Sequence, residues 1–187
     1  GTLDVGNGAA ATLNWPVGGT NTLNVTAVSS SNAGSAINMT NGGTLRVRTS
    51  WSLTNQTFTP GAGTINWNVT GAASTLPAAI ATYNNLTITA TGRIASLGVA
   101  TTVNGNLLIS AGTLSVSGSN FALNVKGNFT NNGTAFTQGT GTVTMSGTAA
   151  QVISGSTTTT FNNLTITNTS AAISISPSTN IVNVAGT

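Results

Sequence analysis

The sequence predicts an all-β chain wound as a right-handed parallel β-helix, a β-solenoid of about 20 residues per coil, and three observations point to it. The first is composition. Of 187 residues only five are formally charged, four basic and one acidic, while 39% are apolar. Ordinary soluble domains carry about 25% charged residues. Disordered chains pair low hydrophobicity with high net charge, and this chain has neither. The second is a recurrence of apolar-polar-apolar triplets, roughly every 20 residues. The third is a repeat: "YNNLTIT" at Tyr83 to Thr89 returns as "FNNLTIT" at Phe161 to Thr167, 78 positions on.

Taken in order, the triplets begin at Leu3, Leu23, Leu45, Ile65, Leu86 and Leu107, and resume at Leu123, Val143, Leu164 and Val182. Each places two apolar side chains on one side of an extended backbone, the mark of a strand with one buried face. Leu13/Trp15, Ile37/Met39, Leu114/Val116 and Ile173/Ile175 fall between them and predict a second face. The intervening segments are turn formers such as "VGGT", "NGG", "PGAG" and "QGTG". Gly reaches positive φ without steric cost, and Asn tolerates the left-handed region. No sustained 3.6-residue apolar stripe with caps occurs, so no substantial helix is expected. Parallel crossovers are overwhelmingly right-handed, which sets the expected winding.

Sliding the sequence by 78 aligns more than the heptad. "FTPGAGTINW" falls on "FTQGTGTVTM" and "TLRV" on "ALNV", without a gap from Leu45 to Ile88. At 20 residues per coil this reads as a four-coil super-repeat, 45–122 and 123–187, preceded by a partial repeat, 1–44, in one continuous solenoid over 1–187. Nine or ten coils at about 4.8 Å would make a rod roughly 45 Å long. In each "NNLTIT" the Asn pair should form a corner at the same angular position, with Leu and Ile inward and Thr outward. Tyr83, Phe161, Phe58 and Phe136 should fill equivalent core slots. The alternative fold is a tandem of antiparallel β-sandwich domains of 78 residues each.

The stretch "GTGTVTMSGTAAQVISGSTTTTFNNLTITN" (139–168), with the segment "GNFTNNG" (127–133), resembles repeats of large secreted bacterial surface proteins. These are Gly/Thr/Asn-rich parallel β-helix proteins, broadly similar to filamentous haemagglutinin-type adhesins. The resemblance is clearest from Leu45 to Thr167. It implies secretion, exposure at the cell surface, and a role as stalk, adhesin or filament. It carries over no catalytic residue.

The residues themselves narrow the function classes. A net charge of +3 cannot build the phosphate-neutralising surface that nucleic acid requires. Arg46 and Arg48 alternate with Val47 and should face solvent from one strand. With no His, Cys or Glu, acid-base groups shrink to Asp4 and Lys126, and no carboxylate pair exists for glycoside cleavage. No catalytic, metal-binding or cofactor-binding residue is therefore expected, nor an enzyme. "GAGT" and "GTGT" lack the Lys and helix of a phosphate loop and read as corners. Trp15, Trp51 and Trp67 could stack on sugars, but their phase with inward aliphatics favours the core. The Thr pairs of "LTIT" could form an ice-binding ladder, but they recur mainly at the long spacing and read as outward strand residues. Nine Asn-x-Ser/Thr sequons occur at about the frequency that composition sets, and carry no inference.

No apolar run approaches the roughly 18 residues of a membrane span, and no signal peptide is seen. The chain begins "GTL" without an initiator Met and stops at "AGT", which Ala111 to Leu114 join as "AGTL". That pattern fits a processed chain, an excerpt of a longer array, or subunits that meet in phase. The expectation is a structural repeat subunit of an extracellular filament or cell-surface fibre, self-associating head-to-tail through uncapped solenoid ends or continuing into a longer repeat chain. The alternative is the stalk or ligand-contacting segment of an adhesin that meets a cell-surface receptor or glycan.

Overall fold

The computed structural model describes residues 1–29, 32–54, 56–116, 118–170, 172–176 and 181–186. Asn55, one of the sequons, and Thr187 of the closing "AGT" lie outside the described residues. Among the described residues the chain forms strands and turns and no helix. The first seven strands are β1 (Thr2–Asp4), β2 (Thr12–Asn14), β3 (Gly19–Ser29), β4 (Ser35–Asn38), β5 (Gly42–Trp51), β6 (Gln56–Thr59) and β7 (Thr64–Trp67). Next come β8 (Ser74–Thr75), β9 (Thr82–Tyr83), β10 (Asn85–Ser96), β11 (Thr101–Val103), β12 (Leu107–Ser115), β13 (Leu123–Val125) and β14 (Phe129–Asn131). The last seven are β15 (Ala135–Thr137), β16 (Thr142–Met145), β17 (Gln151–Ser154), β18 (Thr159–Phe161), β19 (Asn163–Ile166), β20 (Ile173–Ile175) and β21 (Val182–Val184).

Paired strands run parallel throughout, so the molecule is a β-solenoid and not a pair of antiparallel sandwiches. Each coil visits three faces in turn. Face I carries β1, the C-terminal ends of β3, β5, β10 and β12, and then β8, β15, β18 and β21. Face II carries β2, β4 and β6, then β9, β11, β13, β16 and β19. Face III carries the N-terminal parts of β3, β5, β10 and β12, with β7, β14, β17 and β20.

On face III one inward column runs Leu23, Leu45, Ile65, Leu86, Leu107, Phe129, Ile153 and Ile175 through about eight coils. Its steps range from 20 residues (Leu45 to Ile65) to 24 (Phe129 to Ile153), with a mean near 22. The coil is thus longer than the expected 20 residues, and there are about eight coils instead of nine or ten. Eight rungs at about 4.8 Å give a rod of roughly 35 Å.

The error in the coil length has a definite source. The ten triplets belong to all three faces: Leu3 and Val182 to face I, Leu123, Val143 and Leu164 to face II, the rest to face III. The step from Leu107 to Leu123 changes face, because Leu107 pairs with Phe129, and Leu123 with Thr101 and Val143. The 78-residue repeat changes face as well. Leu45, Ile65 and Leu86 lie on face III, whereas their counterparts Leu123, Val143 and Leu164 lie on face II. Phe58 and Tyr83 lie on face II, and Phe136 and Phe161 on face I. The repeat therefore spans three coils and two further faces, and the two "NNLTIT" segments do not share an angular position.

The inward residues form one continuous apolar cluster, with Ile37, Leu45, Leu86, Ile109, Val125 and Phe129 fully buried. Stacking is what buries them, since one coil alone has nothing to cover its inward face. Where the chain bends from face III to face I inside β12, Gly112 has a φ of 74°. A Cβ there would lie 1.8 Å from the Ala90 carbonyl oxygen of the preceding coil, so the bend excludes a side chain. Gly43 (φ 82°) is required for the same reason, because the Trp15 ring fills the space its Cβ would take.

Among the described residues, only face III is hydrogen-bonded without a break. On face II the ladder splits between β6 and β9. There Pro77 supplies no N–H, and its carbonyl accepts from Ile80 N at 3.0 Å, turning the chain out of the ladder.

Ile88 and Ile166 occupy the same place in the repeat, yet Ile88 is fully buried and Ile166 is 56% exposed on the last rung of face II. Ile88→Ala should cost about 2–5 kcal/mol in urea denaturation. Ile166→Ala should stay within about 0.5 kcal/mol of the parent. Equal losses would contradict the assigned rungs.

Candidate functional site

The residues that the sequence singles out for binding are taken into the fold. Trp15, Trp51 and Trp67 are all buried, and Trp15 Nε1 donates to Asn21 O at 3.2 Å. All nine aromatic side chains are at least partly covered. Trp51 packs edge-on to Phe58 at 5.1 Å, and Phe129 to Phe161 at 5.3 Å. No aromatic platform for a sugar is exposed among the described residues. Arg48 faces solvent, while Arg46 is half-buried, with its Nε 3.2 Å from the Asn68 side-chain oxygen once that amide is oriented to accept. The described residues hold no cluster of three His, Cys, Asp or Glu. "GAGT" and "GTGT" are turns, with Gly61 and Gly139 at positive φ. The two Thr pairs lie on faces III and II and do not line up as one stripe.

Asn does form corners, by a means the composition does not reveal. The one non-Gly residue at positive φ among the described residues is Asn120, so the corner Asn residues are not there for a left-handed backbone. They act through their side chains. Between faces II and III, Asn85 Oδ1 accepts from Asn106 N at 2.9 Å, and Asn106 Oδ1 from Asn128 N at 2.8 Å. Asn128 Oδ1 then accepts from Val152 N at 2.8 Å. Each amide oxygen caps a backbone N–H one coil on, where the strand ladder has ended, as side chains cap helix ends.

Tyr83 is the buried reactive type that merits scrutiny. It is 1% exposed, its hydroxyl makes no hydrogen bond, and burial pushes its pKa far above the ordinary phenol value. A group so enclosed is a core filler, matching Phe161 in the repeat, and not a nucleophile.

Among the described residues, the first and last rungs of the stack leave the inward columns uncovered on one side. At the C-terminal end the three columns finish on Ile166 (face II), Ile175 (face III) and Val184 (face I), each 56% exposed. Their partners one rung below, Met145, Ile153 and Phe161, are at most 1% exposed. The same three faces begin with Leu13, Leu23 and Leu3, all half-buried. Between Leu13, Trp15, Pro16 and Leu23 the N-terminal end opens a cleft of about 260 Å³. A second cleft, of about 250 Å³, follows the break in face II beside Phe58 and Ile80. Both ends also present strand edges whose backbone groups have no neighbour on one side, the arrangement that templates further strands.

No protein-family model, curated protein or solved structure matches the chain.

Two substitutions separate ladder from filler. Asn106→Ala should destabilise by about 1–2 kcal/mol, since it leaves Asn128 N uncapped, whereas Asn106→Asp keeps the acceptor and should lose less. Tyr83→Phe should gain about 1 kcal/mol by removing an unpaired buried hydroxyl. It should also change the alkaline limb. Because the folded-state pKa of Tyr83 is raised, the parent keeps full stability below the phenol's unfolded pKa of about 10 and loses it above. The variant should lack that contribution in denaturation curves taken from pH 8 to 11.

Proposed function

We propose that the chain is a structural repeat subunit of an extracellular filament or cell-surface fibre that extends end to end along the solenoid axis. The observation that carries this reading is the match between the two ends. Three half-buried aliphatics begin the columns, and three exposed aliphatics finish them, face for face. Covering each of Ile166, Ile175 and Val184 is worth about 1 kcal/mol at the usual area coefficient. The open strand edges add backbone pairing. A contact between opposite ends is head-to-tail, and such a contact propagates instead of closing. A net charge of +3 offers little electrostatic resistance to association.

The alternative, a ligand-contacting segment of an adhesin, would be favoured by a long loop bearing exposed aromatics. The covered aromatic side chains support the structural reading instead. The near absence of acid-base groups supports a non-catalytic role. No helix among the described residues is long and apolar enough to cross a membrane. Secretion to the cell surface is part of the proposal, and surface proteolysis of intact cells tests it.

Electron microscopy and sedimentation of the purified chain test assembly. Filaments with an axial repeat near 4.8 Å are expected to lengthen with concentration. Ile175→Asp combined with Val184→Asp should leave the circular dichroism of the monomer unchanged and abolish the filaments. Short isolated rods from the parent chain at all concentrations would overturn the reading.

A further inference from the structure

Successive coils are not joined equally along the stack. Among the described residues face III is paired at every joint, whereas face I lacks pairing between β5 and β8 and between β15 and β18, and face II between β6 and β9. At the β15/β18 gap the flanking joints of the other faces, β14 to β17 and β16 to β19, are closed. The Phe136 and Phe161 rings also pack across that gap at 5.8 Å. The other two gaps follow one another in the winding. They merge into one seam across faces I and II, with residues 49–60 on one lip and residues 74–83 on the other.

Each lip is held by the coils on its own side. β6 pairs with β4, and β8 pairs with β10. Leu76 N donates to Ser96 O at 2.8 Å, and the Ala81 carbonyl accepts from Thr102 N at 2.8 Å. Across the seam, among the described residues, the lips share one hydrogen bond, from Ser74 Oγ to Thr49 O at 2.7 Å. The cleft beside Phe58 and Ile80 lies within the seam, and the Phe58 and Tyr83 rings meet there at 6.4 Å. Two polar atoms buried beside it, Gln56 Nε2 and the Tyr83 hydroxyl, have no hydrogen-bond partner. Opening the seam would return water to both, which offsets part of its cost. At the same level face III remains joined, by four pairs from Thr64 with Asn85 to Trp67 with Ile88.

We propose that the seam is a hinge built into the solenoid: the lips part on faces I and II while the β7–β10 ladder of face III holds, so the rod bends at this one level and the cleft widens. The comparison with other joints carries the inference. Parting the lips breaks one side-chain hydrogen bond and separates apolar contacts, and it leaves the ladders on both sides intact. Parting the coils at any other described joint breaks backbone ladders on at least two faces. Cooperative units in proteins separate where fewest such bonds cross, and hinge motion concentrates there. A rod of this kind is stiff on either side of the seam and yields first at the seam when bent. The seam lies inside the stack, so its opening does not depend on what covers the first and last rungs.

Thiol trapping tests the hinge, because the chain has no cysteine and an introduced thiol reports on its own position. Two matched pairs of single variants compare buried sites at the seam with buried sites between closed joints. Leu76→Cys, on the face I side of the seam, is matched by Leu114→Cys, which is paired with Ala95 and Phe136. Tyr83→Cys, on face II, is matched by Phe129→Cys, which is paired with Leu107 and Ile153. In native buffer each seam thiol should react with a thiol reagent about 100-fold faster than its match. The seam rates should also rise little with urea below the unfolding transition, since a local opening exposes little surface, while the matched rates follow global unfolding. The two pairs sit on different faces, so either decides the question if circular dichroism shows that a variant of the other has not folded. Seam rates within about tenfold of their matches, or with the same steep urea dependence, would overturn the hinge.

Discussion

The parallel backbone ladder is the constraint on which the rest depends. It sets successive coils about 4.8 Å apart, so each side chain stands directly over its counterpart in the coil before. Whatever occupies an inward position must tolerate its like above and below. Aliphatics satisfy that condition, as the column Leu45, Ile65, Leu86 and Leu107 shows, while the edge-on pairs Trp51–Phe58 and Phe129–Phe161 join residues of different faces. The same spacing governs the outside. Like charges at about 4.8 Å repel by close to 1 kcal/mol even in bulk water, whereas Thr, Ser and Asn stack without penalty. A sequence with five charged side chains is compatible with such a ladder.

Corners are the places where the ladder stops and backbone groups are left over. The chain meets this need in two ways. Gly43 and Gly112 let one coil pass within contact of the next, at positions where a Cβ would strike the Trp15 ring or the Ala90 carbonyl. Asn85, Asn106 and Asn128 hand a side-chain oxygen to the backbone N–H of the following coil. The first device leaves room for the neighbouring coil at the bend, and the second extends hydrogen bonding around it. Where neither operates, at Pro77, face II loses its pairing and a cleft opens.

Repetition in such a fold obeys a looser rule than the eye assumes. All three faces are built from similar strands with an inward aliphatic pair. A duplicated segment must hold a whole number of strands to keep its turns and its inward positions. It need not hold a whole number of coils. The 78-residue repeat does the first and not the second, which sends "NNLTIT" from face III to face II.

The fold class, the lack of helix among the described residues and the inward residues were legible in the sequence, because period-two alternation is a local property of an extended strand. Leu45/Val47, Ile65/Trp67 and Leu86/Ile88 are inward as their spacing requires. The placing of Trp67 in the core followed from the same parity. Coil length, the face of each strand and the exposure of Ile166 were not legible. They depend on which strand lies over which, and strands from different faces look alike in sequence. Leu107 to Leu123 reads as one more step of a ladder, yet Leu107 lies under Phe129. Which columns run through both the first and the last rungs emerges only when remote segments are stacked. Local chemistry determined what each strand is; register between coils, a non-local choice, decided where each one stands.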